Sequence, residues 1–556
     1  MENRALLAFV MSLGVFVVWG YFLAWMEGPR LKKNAGQTKM PETSRAQNSS
    51  PGSDHSVIKS DDLSPAKEAL KRPKSTNEIV VPSVSNLPSF SGTLKSIYVE
   101  NGPVTYVFSN RGGYLEHVYM NQFTENGEPI DLIAREEGSR LPLTLVSNET
   151  IVSNILRNAF YEVSSELVEL SEENPTAVLK FMLKHQSGLE VEREFIFHYE
   201  KYLIDVKTHI SAPGYTDHNL SYAVVWGPGL GGAVSSHTDH FVFSGPTTFL
   251  NGERLETQND EIMGQVLHKG ELTWTGFQNK YFAAALIPGE GVSYGLVEKT
   301  GDNPYVGLQF QSVQSAVSSS YVLYIGTKEL MVLEDAGHKL TRLMDYGWVG
   351  NKFAFLVKPL LKTLQFFYNI TGNYGWSIIF LTVIIKIIFF PLTHKSFKSM
   401  RGLQKIQPYV KVIQERNKDD RQKMNEEMID LYRKHKVNPM GGCLPMLLQI
   451  PVFIALYHAL FFSIELRGAP FIGWIKDLSV ADPYYVTPVL MGMTMFLQQK
   501  MTPSVGDPVQ QKIMMFLPVL FTFLFISFPA GLVIYWTINN LLTIAQQYYI
   551  YHVIKD

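Results

Sequence analysis

The sequence predicts a multi-domain membrane protein: an all-β domain held outside the membrane, followed by an α-helical transmembrane bundle. Three observations predict it. A mean hydropathy of zero averages a polar half, up to about residue 345, with a strongly apolar half after it. Within the polar half, residues 91–340 run as short alternating stretches broken by Gly, Asn and Pro, the period of half-buried strands. Within the apolar half, residues 375–392 read GWSIIFLTVIIKIIFFPL, long enough to cross most of a bilayer's hydrocarbon core. That stretch holds a charge, Lys386.

In chain order, residues 1–27 form the first unit, with an apolar helix over 5–26. A cleaved signal peptide is the rival reading. Its usual apolar region of 7–15 residues is exceeded, and Trp19, Tyr21, Phe22 and Trp25 stand where a cleavage site needs small side chains. An uncleaved anchor fits better. Residues 28–90 are rich in Ser, Pro, Lys and Asn, the composition of a disordered tether.

Residues 91–340 are expected to form a β-sandwich of roughly 250 residues. The clearest strand runs are 104–108, 177–183, 189–197 and 202–210, and Asn110-Arg111-Gly112-Gly113 marks a turn. Large sandwiches often bind sugars, so Trp226, His237, His240 and Trp274 can be read as a cleft or as core and edge residues.

Residues 345–371 are amphipathic. Lys352, Lys358 and Lys362 interrupt an apolar set that includes Trp348, Phe355 and Leu360, which suits a helix lying in the membrane interface. The Lys386 span occupies 372–394 and is expected to end at Pro391. Residues 395–437 are read as a helical hairpin. From 395 to 436 it carries twelve Lys/Arg against six Asp/Glu, with Lys398, Arg401, Lys405, Lys411, Arg416, Arg421 and Lys423 as its basic surface and a turn at 418–420. Four further spans are expected within 441–552, at about 443–464, 485–499, 513–528 and 532–550, giving six in all.

The basic hairpin belongs in the cytoplasm by the positive-inside rule, which places the β domain outside and both termini inside. Arg30, Lys32 and Lys33, on the outer side of the first span, run against this. The hairpin's larger excess outweighs them. The net charge of −2 argues against bulk nucleic-acid binding, and with one cysteine, Cys443, no intramolecular disulfide can form. There is no Walker loop or HExxH. The chain therefore reads as a non-enzyme without cofactor or metal.

An ammonium at bilayer depth costs at least roughly 2.5–3.5 kcal/mol and needs a partner, a wet cavity or an escape route. Lys386 lies about 12 Å short of His394 at 1.5 Å per residue, too far for a lysine to reach the surface comfortably. The other spans contain no Asp or Glu in their interiors. Thr382 and Thr393 share its helical face. A second polar stripe runs along the last span through Trp536, Asn539, Asn540, Thr543, Gln546 and Gln547. Such a stripe either hydrogen-bonds between helices or lines a cavity. With Lys386, Gln449 in the third span and Tyr535 beside Trp536, a shared hydrophilic groove is the better account. Pro445 and Pro451 can bend the third span to open it, and His458 is expected to be satisfied by a neighbouring helix. The methionines Met446, Met491, Met493, Met495, Met514 and Met515 are either ordinary packing or an adaptable apolar surface.

Several motifs carry a resemblance. Asn438-Pro439-Met440-Gly441-Gly442-Cys443-Leu444-Pro445 is similar to the entry of the third span in the YidC membrane protein insertases. So are Asp345-Tyr346-Gly347-Trp348, Asp482-Pro483-Tyr484-Tyr485, Phe528-Pro529-Ala530-Gly531 and Gln546-Gln547. The resemblance implies a five-helix insertase core with a groove open to cytoplasm and lipid, a periplasmic β-supersandwich, an inner-membrane location and cooperation with the Sec translocon and its accessory subunits. In that family the groove charge is usually arginine. Lysine keeps the charge but loses the bidentate fork. The tail after Ile550 is short, leaving the hairpin as the expected contact for a ribosome.

The expected function is therefore insertion and chaperoning of nascent integral membrane proteins into the lipid bilayer. Two alternatives stay open on the residues alone: a secondary transporter using Lys386 as its ion or substrate site, or a membrane-anchored carbohydrate-binding module. Because the groove and hairpin all lie after residue 345, joined to the β domain through one connection, the two halves are expected to be separable.

Overall fold

The computed structural model of the chain describes residues 90–125, 127–213, 220–232, 242–418, 420–435, 437, 444–501 and 508–552. The expected anchor at 1–27, nearly all of the 28–90 linker, His237, His240 and the Asn438–Cys443 stretch lie outside them, as do the side chains of Trp348, Arg421, Pro445 and Met446.

From Ser96 to Thr327 the regular structure of the described chain is strand apart from one helix, in sheets of five, nine and five strands. Alternation decides which side chains turn inward. Strand Glu190–His198 buries Val191, Arg193, Phe195 and Phe197, and its neighbour Leu203–Ser211 buries Ile204, Val206, Thr208 and Ile210. The two pair antiparallel, with Val206 opposite Phe195. Apolar residues from all three sheets, among them Val99, Phe195 and Phe310, share one buried cluster, so the expectation of a β-rich domain holds. Trp226 and Trp274 are fully buried. Trp226 donates to the carbonyl of Gly229, and Trp274 stacks on Phe249. They are core residues and line no cleft.

After the last strand, helix α2 (Leu330–Ala336; α1 is Thr150–Asn158) and the turn Leu340–Leu343 fold back onto the sheet through Leu333, Leu340 and Leu343. Seven helices follow: α3 (Gly347–Thr371), α4 (Tyr374–Arg416), α5 (Arg421–Lys434), α6 (Leu444–Phe461), α7 (Val486–Met501), α8 (Pro508–Phe525) and α9 (Ala530–His552). Helix α3 buries Val357 and Leu364 while Phe355, Phe366 and Ile370 stay exposed, the asymmetry expected of an interfacial helix. Gly372 ends it in the left-handed conformation (φ +64°), and Asn373 caps α4 by accepting from the amides of Gly375 and Trp376.

Helix α4 corrects the expected end at Pro391. It runs 43 residues, straight through Pro391 and Pro408, about 65 Å at 1.5 Å per residue. Proline costs one backbone hydrogen bond but does not by itself end a helix. Here Met400, Leu403, Ile406, Val410 and Ile413 continue a buried stripe beyond it. The boundary expected between span and hairpin thus falls inside one helix. Helix α5 returns along α4 after a cap in which Asp420 accepts from the amide of Lys423. Among the described residues only α4 is long and apolar enough to cross a membrane by length and composition. Its best window has a mean hydropathy of 2.2, and shorter apolar runs lie at Gln449–Phe461 and Met514–Phe525.

Candidate functional site

Helix α9 packs against α4, α6 and α7, and its polar stripe faces all three. Its position follows from the turn before it: the amides of Ala530 and Gly531 donate to the carbonyls of Val480 and Leu478. The Asp482 carboxylate organises the start of α7, accepting from the amides of Tyr484 and Thr487 and from the Trp474 indole. The Asp482 and Pro529 motifs are thus structural pins that set where α7 and α9 begin.

From these starts the seam assembles by hydrogen bonds. Lys386 on α4 donates to Thr543 Oγ1 of α9 at 2.7 Å. That hydroxyl donates in turn to the carbonyl of Asn539 at 2.6 Å. The Asn539 side-chain oxygen accepts from Gln449 of α6, also at 2.6 Å. Asn540 donates to Thr494 of α7 at 3.2 Å, and Gln547 to the carbonyl of Met501 at 3.3 Å. The structure therefore joins Lys386, Thr543, Asn539 and Gln449 in one connected chain across three helices. For most of the stripe, the interhelical reading describes what is seen.

Other expected members are placed differently. Thr382 is fully buried and donates to the carbonyl of Ile378, and Thr393 does the same to Phe389. Both hydroxyls are satisfied within their own helix and lend no polarity to Lys386. Tyr535 is buried in the apolar core of the bundle. Trp536 meets Phe453 edge-on at 4.6 Å and lies beside Phe521 and Phe525, so it belongs to an aromatic cluster. Gln546 is buried with neither amide atom hydrogen-bonded. His458 was expected to be satisfied by a neighbouring helix. Its Nδ1 has no hydrogen-bond partner among the described residues, and the ring sits among Tyr346, Tyr457 and Phe462. Thr494 was missed by sequence reasoning; a single threonine in a methionine-rich span carries no pattern of its own.

Lys386 is partly buried, between fully buried Thr382 and exposed Ile387 and Ile388. Among the described residues its ammonium meets one acceptor, a neutral hydroxyl, and no carboxylate. Met493, Met514 and Met515 are exposed, while Met491 is core. In the hairpin, Arg416 pairs with Glu427 at 2.5 Å. Lys411 and Lys423 are exposed, and Lys398, Arg401 and Lys405 all have partners. No group of His, Cys, Asp or Glu suited to a metal occurs among the described residues.

Comparison with known proteins agrees with this division of the chain. Residues 366–556 match the family described as 60Kd inner membrane protein, and residues 96–363 match the YidC periplasmic domain. A protein of Geobacter metallireducens named membrane protein insertase YidC is 38% identical over 99% of this chain and 98% of its own length. The chain belongs to the YidC family. A Geobacter sulfurreducens protein of the same name is 41% identical over 80% of this chain and 83% of its own. The strand-rich part lies within the match to the YidC periplasmic domain, which runs on into α3, and α4 to α9 lie within the match to the 60Kd inner membrane protein.

Proposed function

We propose that the chain is an inner-membrane insertase and chaperone, which admits polar segments of nascent integral membrane proteins through the seam around Lys386. The observation that carries this is the Lys386 ammonium, held at helix depth by one hydroxyl with no carboxylate among the described residues. A structural ion pair would have consumed the charge. In this reading a translocating polar or acidic segment supplies the missing acceptors, and its apolar part leaves between helices into lipid. Exposed, conformationally adaptable Met493, Met514 and Met515 suit a surface that meets many apolar sequences.

The arrangement in the membrane is six spans, with α4, α6, α7, α8 and α9 as the five-helix core, α3 at the outer interface, and both termini in the cytoplasm. The long continuation of α4 and its partner α5 project the basic hairpin toward the ribosome and emerging chain. The Sec translocon with its accessory subunits is the partner for larger substrates. No step requires a cofactor, since substrate hydrophobicity and the membrane potential can supply the work.

Site-specific photo-crosslinking tests this. Probes at positions 386, 449, 540 and 543 should crosslink a stalled nascent membrane protein, and probes at exposed α3 positions 355 and 366 should not. Equal labelling from both sets would remove the seam as the route. Substrate-free flux of a small ion through proteoliposomes, abolished by Lys386→Ala, would favour a transporter instead.

A further inference from the structure

The turn after α6 contributes to two different cores. In the short 3₁₀ turn Ile464–Leu466, Ile464 is buried with the β domain's main apolar cluster, whereas Leu466 is buried with the core of the membrane helices. The next residue extends the grip. Arg467 donates to the carbonyl of Gly232 at 3.3 Å, approaches Glu125 at 3.9 Å and lies over the ring of Tyr281. Its side chain is only 10% exposed. Lys280, itself buried, sits over Tyr281 on one side and over Phe461, the last residue of α6, on the other. The β-domain side of the contact is firmly built. Asn279 donates to the carbonyl of Gly231 and accepts from the amides of Tyr281 and Phe282.

This contact is separate from the covalent one. The chain leaves the β domain at Thr327 and enters α3 at Gly347. Along that route Arg254 pairs with Asp345 at 2.8 Å and Lys358 with Glu334 at 2.6 Å. Arg467 and Gly232 are 235 residues apart in sequence and belong to neither side of that route. The two halves keep one covalent connection, and the β domain is held in addition by this non-covalent contact.

We infer that the segment Ser463–Arg467 is a bolt that fixes the β domain to the outer end of α6, so that load on the domain is delivered to that helix. Two anchors on one rigid body remove the hinge that one linker would leave. Helix α6 carries Gln449 about 18 Å further along, at 1.5 Å per residue, where it holds Asn539 of the seam. A partner that grips or tilts the β domain thereby acts on the helix that borders Lys386. The chemistry is apolar insertion plus two shielded cations, Arg467 on a carbonyl and the Tyr281 ring and Lys280 on the rings of Tyr281 and Phe461.

Hydrogen–deuterium exchange on the full chain in lipid nanodiscs tests the bolt without reference to insertion. In Ile464→Ala/Arg467→Ala, exchange should rise by about fivefold or more over residues 277–287 of the β domain and over 452–461 of α6, with 530–547 unchanged. If the rise stays within 462–468, the bolt is wrong. Arg467→Lys guards against simple misfolding: it keeps the charge, loses the fork, and should give the same pattern with smaller amplitude. Wild-type exchange in Arg467→Lys beside global acceleration in the double variant would show a folding defect and overturn the inference.

Discussion

Lys328 in the β domain and Lys386 in the helical half are both drawn inward, and the two halves of the molecule treat them differently. In the β domain, Lys328 is buried and donates to Gln278 Oε1 at 2.9 Å and to the carbonyl of Asn279 at 3.0 Å. Arg254, Glu256 and Asp345 act on it electrostatically. In the helical half, Lys386 has the hydroxyl of Thr543. An ammonium offers three donors. The β domain fills two with fixed oxygens at the end of one strand and in the turn after it, and the bundle fills one with a hydroxyl already bonded to its own helix. The lysine with two fixed acceptors reads as a structural part, and the one with a single, shared acceptor is the proposed site.

The largest effect expected from this contrast lies at Lys386. Lys386→Ala should slow insertion of substrates with acidic translocated segments on the order of tenfold, about 1.4 kcal/mol, with little change for neutral ones. Lys386→Arg should stay active, and Lys386→Glu should be worse than alanine. The protein's level in the membrane must be followed alongside, because an unseen ion pair would instead lower that level. Normal insertion of acidic substrates by well-expressed Lys386→Ala would erase the distinction between the two lysines.

Lys328 should show the opposite profile. Lys328→Met leaves Gln278 and Asn279 without their donor and should cost the β domain about 2 kcal/mol, with insertion per folded molecule unchanged. Its pH dependence has a definite sign. Burial pushes the Lys328 pKa down to about 7, below its ordinary value near 10.5, so the folded state binds fewer protons than the unfolded one between these values. Stability from this group therefore rises with pH from about 7 to about 10.5, and below 7 the folded chain bears the cost of a buried charge. Thermal unfolding at pH 6, 8 and 9.5 should show that rise in the wild type relative to Lys328→Met. Parallel curves would mean that Lys328 stays charged throughout.

The contrast was only half legible in the sequence. Lys386 announced itself, because a charge inside an apolar run has a cost that composition alone reveals. The strand periods at 189–197 and 202–210 were equally plain, since alternation needs no tertiary knowledge. Lys328 gave no signal: it follows a strand among polar neighbours, and only the approach of residues 278 and 279, some fifty positions earlier, buries it. Trp536 was misassigned for a related reason. Helical spacing puts it on the stripe with Asn539 and Thr543, but an indole has one polar atom, and Phe453, Phe521 and Phe525 claimed the rest. Ile464 looked like the end of a span, and no period could reveal that it enters the other domain's core.

A smaller effect is expected one step from Lys386. Thr543→Val removes the acceptor while keeping the shape, so the ammonium loses its one hydrogen bond among the described residues, worth about 1 kcal/mol. Insertion of acidic substrates should fall about three- to fivefold, and Thr543→Ser should restore it. The hydroxyl also bonds Asn539 within α9, so stability has to be followed in parallel. Equal losses for acidic and neutral substrates would make Thr543 a packing residue and detach it from the charge.

The smallest single-site effects should fall on the hairpin, which carries many cations, none of them buried among the described residues. Lys411 and Lys423 are exposed, and charges in water are screened within about 8–10 Å at physiological salt. Each then acts through a summed field that its neighbours share. Lys411→Ala and Lys423→Ala should therefore change insertion by less than about twofold, whereas deleting 400–434 should abolish it. Arg416 is the position where this reasoning is most exposed, because its pair with Glu427 ties α4 to α5. Arg416→Ala should still be mild, since Asn417 also holds Glu427 at 3.0 Å and the buried stripe from Met400 to Ile413 keeps the two helices together. If one of these alanines proved as damaging as the deletion, the hairpin would contain a specific contact of the Lys386 kind, and the division between enclosed and screened cations would have to be redrawn.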